Sequence, residues 1–460
     1  MRGVLPILRK RISWLHFSLS SLVSFILFIS LALPNIAVAQ GGSIESKPIS
    51  AIKNTSIENK VDDKLIEQFK EQDQITFLLK FEGQVDTTKV AMEATEKAKK
   101  QKLTAATTEL QVRSAVVSSL RNTAMESQTN VMDYLEKAKQ NGDVKSVQSF
   151  YVVNAIAVTA TKAVMDKLAA FPEVAKILPN ETRQIITPIQ PKEKKTNLNS
   201  STVEWGVERV GAPQVWDMGI DGAGIVVANI DTGVQWDHPA LMEKYRGYNP
   251  ANPNQPDHQL NWFDAVGGKE TPYDDNNHGT HTVGTMVGSE PDGSNQIGVA
   301  PGAKWIAVKA FSNDGTSKDV DLLEAGEWIL APKDAEGNPH PELTPDVVNN
   351  SWGGGPGLDE WYRPMVQNWR AANIFPVFAA GNFGFKGEGS VTSPGNYPES
   401  FAVAATDDQN ALAWFSSRGP APYDEMKPDV SAPGVEIRSS VPANNYELMS
   451  GTSMATPHIS

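Results

Sequence analysis

The C-terminal part of this 460-residue chain contains apolar runs that are continuous rather than alternating. Three of them, at Ile225–Ile230, Trp305–Ala310 and Phe375–Ala380, have the length of one strand. Continuous apolar runs are typical of strands that are buried on both faces of a parallel sheet. Helical stretches at Val320–Leu330 and Asp359–Ala372 lie between these runs. Residues 201–460 therefore predict an α/β layered domain with a mostly parallel sheet.

Residues 74–181 show a different pattern, in which short strands and helices alternate. Strand composition occurs in three segments, at Ile75–Phe81, Val147–Ala160 and Val174–Leu178. Residues 87–140 predict one long helix or two shorter ones, and Ala163–Phe171 predicts a short helix. This order predicts a small two-layer α+β module of the ferredoxin-like kind.

The segments on either side of this module lack such patterns. Residues 40–73 are polar with little periodicity, so they predict a loosely ordered arm. Residues 182–200 contain Pro188, Pro191 and a polar run, which is the composition of a linker open to proteolysis.

The first 39 residues have the features of a targeting signal. Arginine and lysine precede an apolar run at Trp14–Leu33, and Ala37-Val38-Ala39 follows it. This pattern predicts a secretory signal peptide that is cut after Ala39, and hence a secreted protein without stable membrane association. An uncleaved anchor helix is the alternative, because Phe17–Leu33 approaches the length of a membrane span.

Charge limits which partners the chain could bind, and cysteine content limits how it could be stabilised. Residues 1–200 carry 27 Lys and Arg against 20 Asp and Glu, whereas residues 201–460 carry 14 against 34. The acidic half disfavours nucleic acid as a partner. It suits docking of the mildly basic N-terminal half, although acidity also keeps a secreted domain soluble. The chain has no cysteine, so durability outside the cell depends on core burial or bound ions.

Four polar residues lie where an α/β sheet could carry chemistry. Asp231 and Asn382 follow predicted strands, at the carboxyl edge where such sheets place functional residues. His278 precedes a run of small residues that suits a closely packed helix, and Ser453 follows Gly451-Thr452 at a predicted helix start. Each has a structural alternative when taken singly, as a turn residue, a satisfied core histidine or a helix cap.

Together these four residue types could perform nucleophilic catalysis. A serine needs an adjacent base to become a useful nucleophile, and an imidazole held by a carboxylate supplies one. A primary amide at a strand end could stabilise the oxyanion that forms. His278 and His281 also suggest a metal pair, but the zinc-protease motif needs four-residue spacing and a glutamate, so metal catalysis is disfavoured.

Residues 203–460 resemble the subtilisin-like serine proteases, which share the chain order Asp, His, Ser. The resemblance rests on seven ordered motifs: Asp231-Thr232-Gly233, His278-Gly279-Thr280-His281, Asn349-Asn350-Ser351-Trp352-Gly353, Ala380-Gly381-Asn382, Ser416-Ser417-Arg418-Gly419-Pro420, Lys427-Pro428-Asp429-Val430 and Gly451-Thr452-Ser453-Met454-Ala455. It implies a three-layer subtilisin-like domain and a secreted endopeptidase that hydrolyses protein or peptide substrates without a cofactor for its chemistry.

The resemblance also implies a role for each site residue. Ser453 would attack the scissile carbonyl, His278 would transfer its proton, and Asp231 would orient the imidazole. Asn382 and the Ser453 N–H would form the oxyanion hole. Two segments would hold extended substrate, Ser351-Trp352-Gly353 on one side and Ala379-Ala380-Gly381 on the other, with Thr392 near the base of the specificity pocket.

The N-terminal module resembles the inhibitor-type propeptide of these proteases. Residues 40–200 are thus expected to guide folding, occupy the cleft as an intramolecular inhibitor and be removed by a cut between Pro188 and Val203. Residues 87–140 hold more helix than this type of propeptide normally has.

Two further expectations concern the binding of structural calcium and the C-terminal end of the peptidase domain. Asp274-Asp275 and the loop Glu290–Asn295 could supply oxygen ligands for structural calcium, although solvated loop charges are the favoured interpretation. The sequence stops seven residues after Ser453, whereas members of the resembled family continue further. Residues 201–460 are therefore expected to form an incomplete peptidase domain. The alternative function is that of an impaired relative acting only as an inhibitory or binding module.

Overall fold

A computed structural model describes residues 60–189 and 203–460 of the chain. The predicted signal peptide, most of the predicted arm and residues 190–202 lie outside the described residues. The elements of the N-terminal module are α1 (Asp63–Glu71), β1 (Gln74–Phe81), α2 (Thr87–Gln101), α3 (Ala105–Gln140), β2 (Val144–Phe150), β3 (Ala155–Thr161), α4 (Lys162–Leu168), β4 (Val174–Pro179) and β5 (Thr182–Ile185).

The N-terminal module is the predicted α+β fold. Its antiparallel sheet has the strand order β2-β3-β1-β4, and α3 packs on it. Phe77 and Leu79 of β1 share a core with Val131 and Leu135 of α3. The helical region divides into two helices because Lys102 adopts a left-handed conformation at φ 56°.

Two details of this module differ from the sequence prediction. The arm predicted at residues 40–73 includes a helix, α1, whose start is capped by the Asp62 side chain accepting from the Lys64 N–H at 2.9 Å. Leu65 of α1 is buried, and Phe69, one turn later, packs against the same core. The strand predicted at Val147–Ala160 is a pair, β2 and β3, joined by a turn that ends at Asn154.

The C-terminal domain contains a seven-stranded sheet whose neighbouring strands are all parallel, in the order β14-β13-β12-β10-β6-β8-β7. The elements of this domain are α5 (Trp205–Arg209), α6 (Ala212–Trp216), β6 (Val226–Asp231), β7 (Trp262–Asp264), α7 (His278–Val287), β8 (Lys304–Lys309), β9 (Thr316–Lys318), α8 (Asp319–Leu330), β10 (Val347–Asn350), β11 (Trp352–Gly353), α9 (Arg363–Ala371), β12 (Phe375–Ala379), β13 (Phe401–Thr406), β14 (Val430–Pro433), β15 (Ile437–Val441), β16 (Asn445–Met449) and α10 (Thr452–Ala455).

Helices cover both faces of this sheet. Ala228 and Ile306 point into the core shared with α8 and α9, whereas their neighbours Val227 and Trp305 point into the core shared with α7. This alternation along β6 and β8 gives three layers, and it explains why the strands are apolar without a break. The predicted α/β architecture is confirmed.

The segment predicted as a linker, residues 182–200, differs from that prediction at its start. Residues 182–185 form β5, which is the middle strand of a three-stranded antiparallel sheet in the order β11-β5-β9. Both partner strands belong to the C-terminal domain, so the end of the N-terminal module is inserted into that domain as a strand. No helix within residues 60–189 and 203–460 is long and apolar enough to cross a membrane.

Candidate active site

Asp231 and His278 form a buried pair at the carboxyl edge of the parallel sheet. Asp231 is the last residue of β6, and His278 is the first residue of α7. The His278 Nδ1 atom lies 2.8 Å from one carboxylate oxygen of Asp231 and 3.0 Å from the other, and each side chain is 1% exposed. The two elements approach closely because residue 279 is glycine: a Cβ there would lie 2.1 Å from the Gly233 carbonyl oxygen.

Asp274 fixes the start of α7. One of its carboxylate oxygens accepts from the Thr280 N–H at 2.9 Å and from the Thr280 hydroxyl at 2.7 Å. The other accepts from the Thr232 hydroxyl and from the N–H groups of Asn276 and Asn277. Asp274 therefore ties the loop after β6 to the helix that carries His278, a role that sequence reasoning missed.

The two acidic segments considered for calcium are engaged with protein groups. Besides Asp274, Asp275 pairs with the Lys309 ammonium at 2.6 Å. Glu290 accepts from the Asn295 amide at 2.9 Å and from the Tyr446 hydroxyl at 2.5 Å. These carboxylates are hydrogen-bonded rather than simply solvated, and the described part of the chain contains no group of three or more His, Asp or Glu side chains placed to hold a metal ion.

Ser453 and Asn382 meet at the start of α10. Ser453 is fully buried in the second position of that helix. The side-chain oxygen of Asn382, Oδ1, accepts from the N–H and the hydroxyl of Thr452, each at 3.0 Å. Because these two bonds hold the amide, its NH₂ group points away from Thr452 and donates to the Thr187 carbonyl oxygen at 3.0 Å. Thr452 is thus a second positioning residue that the sequence did not single out.

The segment after β5 crosses the site between these groups. The Ile186 N–H donates to the Ser351 carbonyl at 3.2 Å, and the Ile189 N–H donates to the Ser450 carbonyl at 2.7 Å. The Ser453 hydroxyl donates to the Ile186 carbonyl at 2.9 Å. Within the described residues, Nε2 of His278 has no hydrogen-bond partner. The serine proton is therefore directed at the segment and not at the imidazole.

The two predicted substrate segments behave differently. Trp352 and Gly353 form β11 and pair directly with β5, as expected for a strand-binding edge. Ala380 and Gly381 instead direct their N–H groups to the Val403 carbonyl and the Thr452 hydroxyl, so these N–H groups do not pair with the segment after β5. Thr392 lies between the two edges, because a Cβ on Gly353 or on Gly381 would come within 3.1 Å of its hydroxyl oxygen.

Comparison with known proteins identifies the families that the two parts of the chain match. Residues 222–460 match the subtilase family (Peptidase S8), and residues 84–185 match the peptidase inhibitor I9 family. Subtilisin E of Bacillus subtilis (strain 168) is 30% identical over 317 residues, which cover 68% of this chain and 71% of that protein. The chain belongs to the subtilase family.

Two further relatives from the same strain show how much of a subtilase is present. Bacillopeptidase F is 57% identical over 451 residues, which cover 96% of this chain and 31% of that protein. Serine protease AprX is 35% identical over 266 residues, which cover 52% of this chain and 55% of that protein. The chain thus spans about a third of bacillopeptidase F and about half of AprX. Its N-terminal module is an I9-type propeptide, as the resemblance implied.

A buried glutamate of the subtilase domain holds the I9-type propeptide. The Glu327 carboxylate, 2% exposed, accepts from the N–H groups of Tyr151 and Val152 at 2.5 and 2.9 Å and pairs with Lys333 at 2.6 Å. The Asn368 amide donates to the Val152 carbonyl at 2.7 Å. These contacts fix the turn between β2 and β3 on the surface formed by α8 and α9, and none of them had a signal in the sequence.

Proposed function

We propose that this subtilase is a serine endopeptidase, made as a zymogen, that hydrolyses peptide bonds of proteins. The observation that carries the proposal is the buried Asp231–His278 pair on a helix, α7, that contacts the helix of Ser453, while Ser453 and the Asn382 amide each donate to a backbone carbonyl of the same segment. A carboxylate, an imidazole, a hydroxyl and an amide donor are the groups that acyl transfer to serine requires.

Each residue has a distinct part in the proposed reaction. The Asp231 carboxylate accepts the Nδ1 proton of His278, so Nε2 keeps a lone pair that can take the proton of Ser453. The Ser453 oxygen then attacks the scissile carbonyl carbon, and the imidazolium returns the proton to the leaving amine. Asn382, held by Thr452, donates to the oxyanion. Water then takes the place of the amine: His278 accepts a proton from it, its oxygen attacks the acyl carbon, and the imidazolium returns the proton to Ser453.

The propeptide keeps the site inactive in this arrangement. Attack requires the serine oxygen at one carbonyl carbon and the amide donor at the oxygen of that same carbonyl. Here Ser453 donates to the Ile186 carbonyl, whereas Asn382 donates to the next one, that of Thr187. We therefore assign residues 40–200 to an inhibitory propeptide that fills the cleft and residues 201–460 to the peptidase domain.

The partners and location follow from the same assignment. Residues 1–39 would direct export, and the substrates would be protein or peptide chains outside the cell. The reaction draws on side chains and water alone, and structural calcium would serve stability. Neither nucleic acid nor a membrane is needed by the groups in this cleft.

Labelling with a serine-directed fluorophosphonate tests the catalytic assignment. We expect the processed protein to be labelled at Ser453, and Ser453→Ala to lose both the label and peptide hydrolysis. Ser460→Ala, on the same short segment, is the matched control and should keep the label. Activity that is lost to a chelator but resists the label would point to a metal-dependent peptidase, and the absence of label and hydrolysis together would leave a binding module.

A further inference from the structure

The groove filled by β5 contains a second recognition element besides the backbone pairing. Arg183 of β5 extends into the subtilase domain and contacts two carboxylates there. Its Nε atom lies 2.7 Å from Asp319 Oδ1, and its Nη1 atom lies 2.9 Å from Asp359 Oδ2. The Arg183 side chain is only 15% exposed. A guanidinium therefore occupies a pocket of the groove in the inhibited state.

The pocket is built around Asp319, whose side chain is 3% exposed. Its carboxylate also accepts from the Tyr362 hydroxyl and, at 3.0 Å, from the Glu181 N–H. The Tyr362 ring centroid lies 5.6 Å from the guanidinium carbon, and the Trp352 ring packs edge-on against Tyr362 at 5.4 Å. Two carboxylates, an aromatic face and a planar hydrogen-bonding fork are complementary to arginine.

The carboxylates that bind Arg183 favour another cation after the propeptide leaves. Burial raises the pKa of Asp319, and the contacts with Arg183 oppose that rise. When β5 departs, Asp319 loses the guanidinium and the Glu181 N–H, while the Tyr362 hydroxyl remains. The two carboxylates that shared the guanidinium, Asp319 and Asp359, would then face the groove without a cation, so the empty pocket would gain by taking up another basic side chain.

The position of this pocket relative to the cut bond follows from the strand register. β5 pairs on one side with β9, where Arg183 faces Ser317, and on the other side with β11, where Gln184 faces Gly353. Ile186, whose carbonyl oxygen is 2.9 Å from the Ser453 hydroxyl, lies three residues after Arg183. If the carbonyl that the Ser453 hydroxyl contacts is the one attacked, a substrate held as β5 is held would place the fourth residue before its cut bond in this pocket.

We propose that Asp319 and Asp359 form a specificity subsite that selects arginine, and less strongly lysine, as the fourth residue before the cut bond. This inference rests on the proposed endopeptidase function and adds a substrate class to it, namely extended polypeptides with a basic residue at that position. Arginine should exceed lysine because its fork can satisfy both carboxylates at once, whereas an ammonium is a point charge. The alternative is that the pair serves only to hold the propeptide.

Cleavage profiling of the processed, secreted protein tests the subsite. A diverse peptide mixture is digested, and the residues around every cut are counted. Three fluorogenic peptides are then made on the best sequence, identical except for arginine, citrulline or leucine at the fourth residue before the cut. Citrulline keeps the shape of arginine without its charge. We expect kcat/KM for the arginine peptide to exceed that for the other two at least about tenfold, as for other charge-assisted pairs.

Variants assign the preference to the two carboxylates. Asp319→Asn should reduce the ratio of kcat/KM for arginine over leucine to near one, and Asp359→Asn, at the half-exposed carboxylate, should reduce it partly. Asp292→Asn removes an exposed charge on the loop Glu290–Asn295 and should leave the ratio unchanged. If Asp319→Asn is not secreted, the citrulline comparison and Asp359→Asn still decide the question.

The outcomes separate the subsite from the proposed function. Equal cleavage of the arginine, citrulline and leucine peptides by a protein that labels at Ser453 overturns the subsite and leaves the endopeptidase in place. The same holds if Asp319→Asn slows processing but keeps the peptide preference, since the pair would then hold only the propeptide. Failure of the processed protein to cut any peptide or to take the label overturns the proposed function itself.

Discussion

Acid should destabilise this protein through His458, a buried histidine next to the proposed nucleophile helix. Its side chain is 5% exposed, and its Nδ1 atom lies 2.9 Å from the Met454 carbonyl oxygen. The ring fits against the backbone of Gly206, where a Cβ would lie 2.4 Å from Nε2. Burial lowers the pKa of His458 to about 4, and the bond to Met454 opposes that shift only in part.

The sign and size of the effect follow from proton linkage. An unfolded histidine has a pKa of about 6.5, so below that pH the unfolded chain binds a proton that the folded chain excludes. The stabilisation is complete above pH 6.5 and is lost as the pH falls toward the folded pKa of about 4. For these two pKa values, lowering the pH from about 7.5 to 5 removes about 2 kcal/mol of the free energy of unfolding.

Urea unfolding followed by tryptophan fluorescence at the two pH values measures this loss. Ser453→Ala serves as the parent to prevent self-digestion, and His458→Asn is added because its amide can still donate to Met454 but does not titrate. Other groups also titrate, so the difference between parent and variant isolates His458. The variant should lose about 2 kcal/mol less than the parent between the two pH values.

A control histidine checks the sign. The pKa of His340, which is paired with Glu342 and Asp334, is raised rather than lowered. Replacing it with asparagine should not reduce the acid-induced loss. Equal losses in the parent and in His458→Asn would refute the argument that burial excludes the proton from this ring.

Two further predictions concern the propeptide. Glu327→Ala should raise the inhibition constant of the propeptide added in trans at least about tenfold, because the buried N–H groups of Tyr151 and Val152 lose a charged acceptor. Inhibition progress curves measure this constant, and Glu342→Ala, at an exposed glutamate, is the control. An unchanged inhibition constant would contradict the role of Glu327. N-terminal sequencing of the secreted protein should find a mature terminus between Pro188 and Val203. If the bond between Ile186 and Thr187, whose carbonyl now contacts the Ser453 hydroxyl, is cut first, the terminus should be Thr187. A terminus before Ile186 would contradict both expectations.

Much of the C-terminal domain could be predicted because its determinants are local. The apolar runs that became β6, β8 and β12 carry their burial in their own composition. The Asp231–His278 contact was predictable in kind because a strand end and a helix start meet at the carboxyl edge of a parallel sheet. Its bond lengths, and the support from Asp274 and Thr452, depend on turn geometry that residue types alone do not specify.

The missed features depend on partners that are distant in sequence. The four residues of β5, Thr-Arg-Gln-Ile, show no alternation, and they form a strand because β9 and β11, more than 130 residues later, offer free edges. Asp319 and Glu327 look like ordinary charges of an amphipathic helix. Their partners in the propeptide, Arg183 for Asp319 and the N–H groups of Tyr151 and Val152 for Glu327, lie more than 130 residues earlier in the sequence.

The middle position of β5 has a consequence for which proteins this chain could attack. A segment that replaces β5 must hydrogen-bond on both of its edges at once, to β9 and to β11. A strand in a native sheet has at least one edge occupied, and a helix has its backbone groups paired internally. Such segments can enter only after they detach from their own fold. The rate at which a protein substrate is cut would then depend on how often one of its segments unfolds locally. Stably folded substrates would be cut slowly, and substrates with unstable segments would be cut faster.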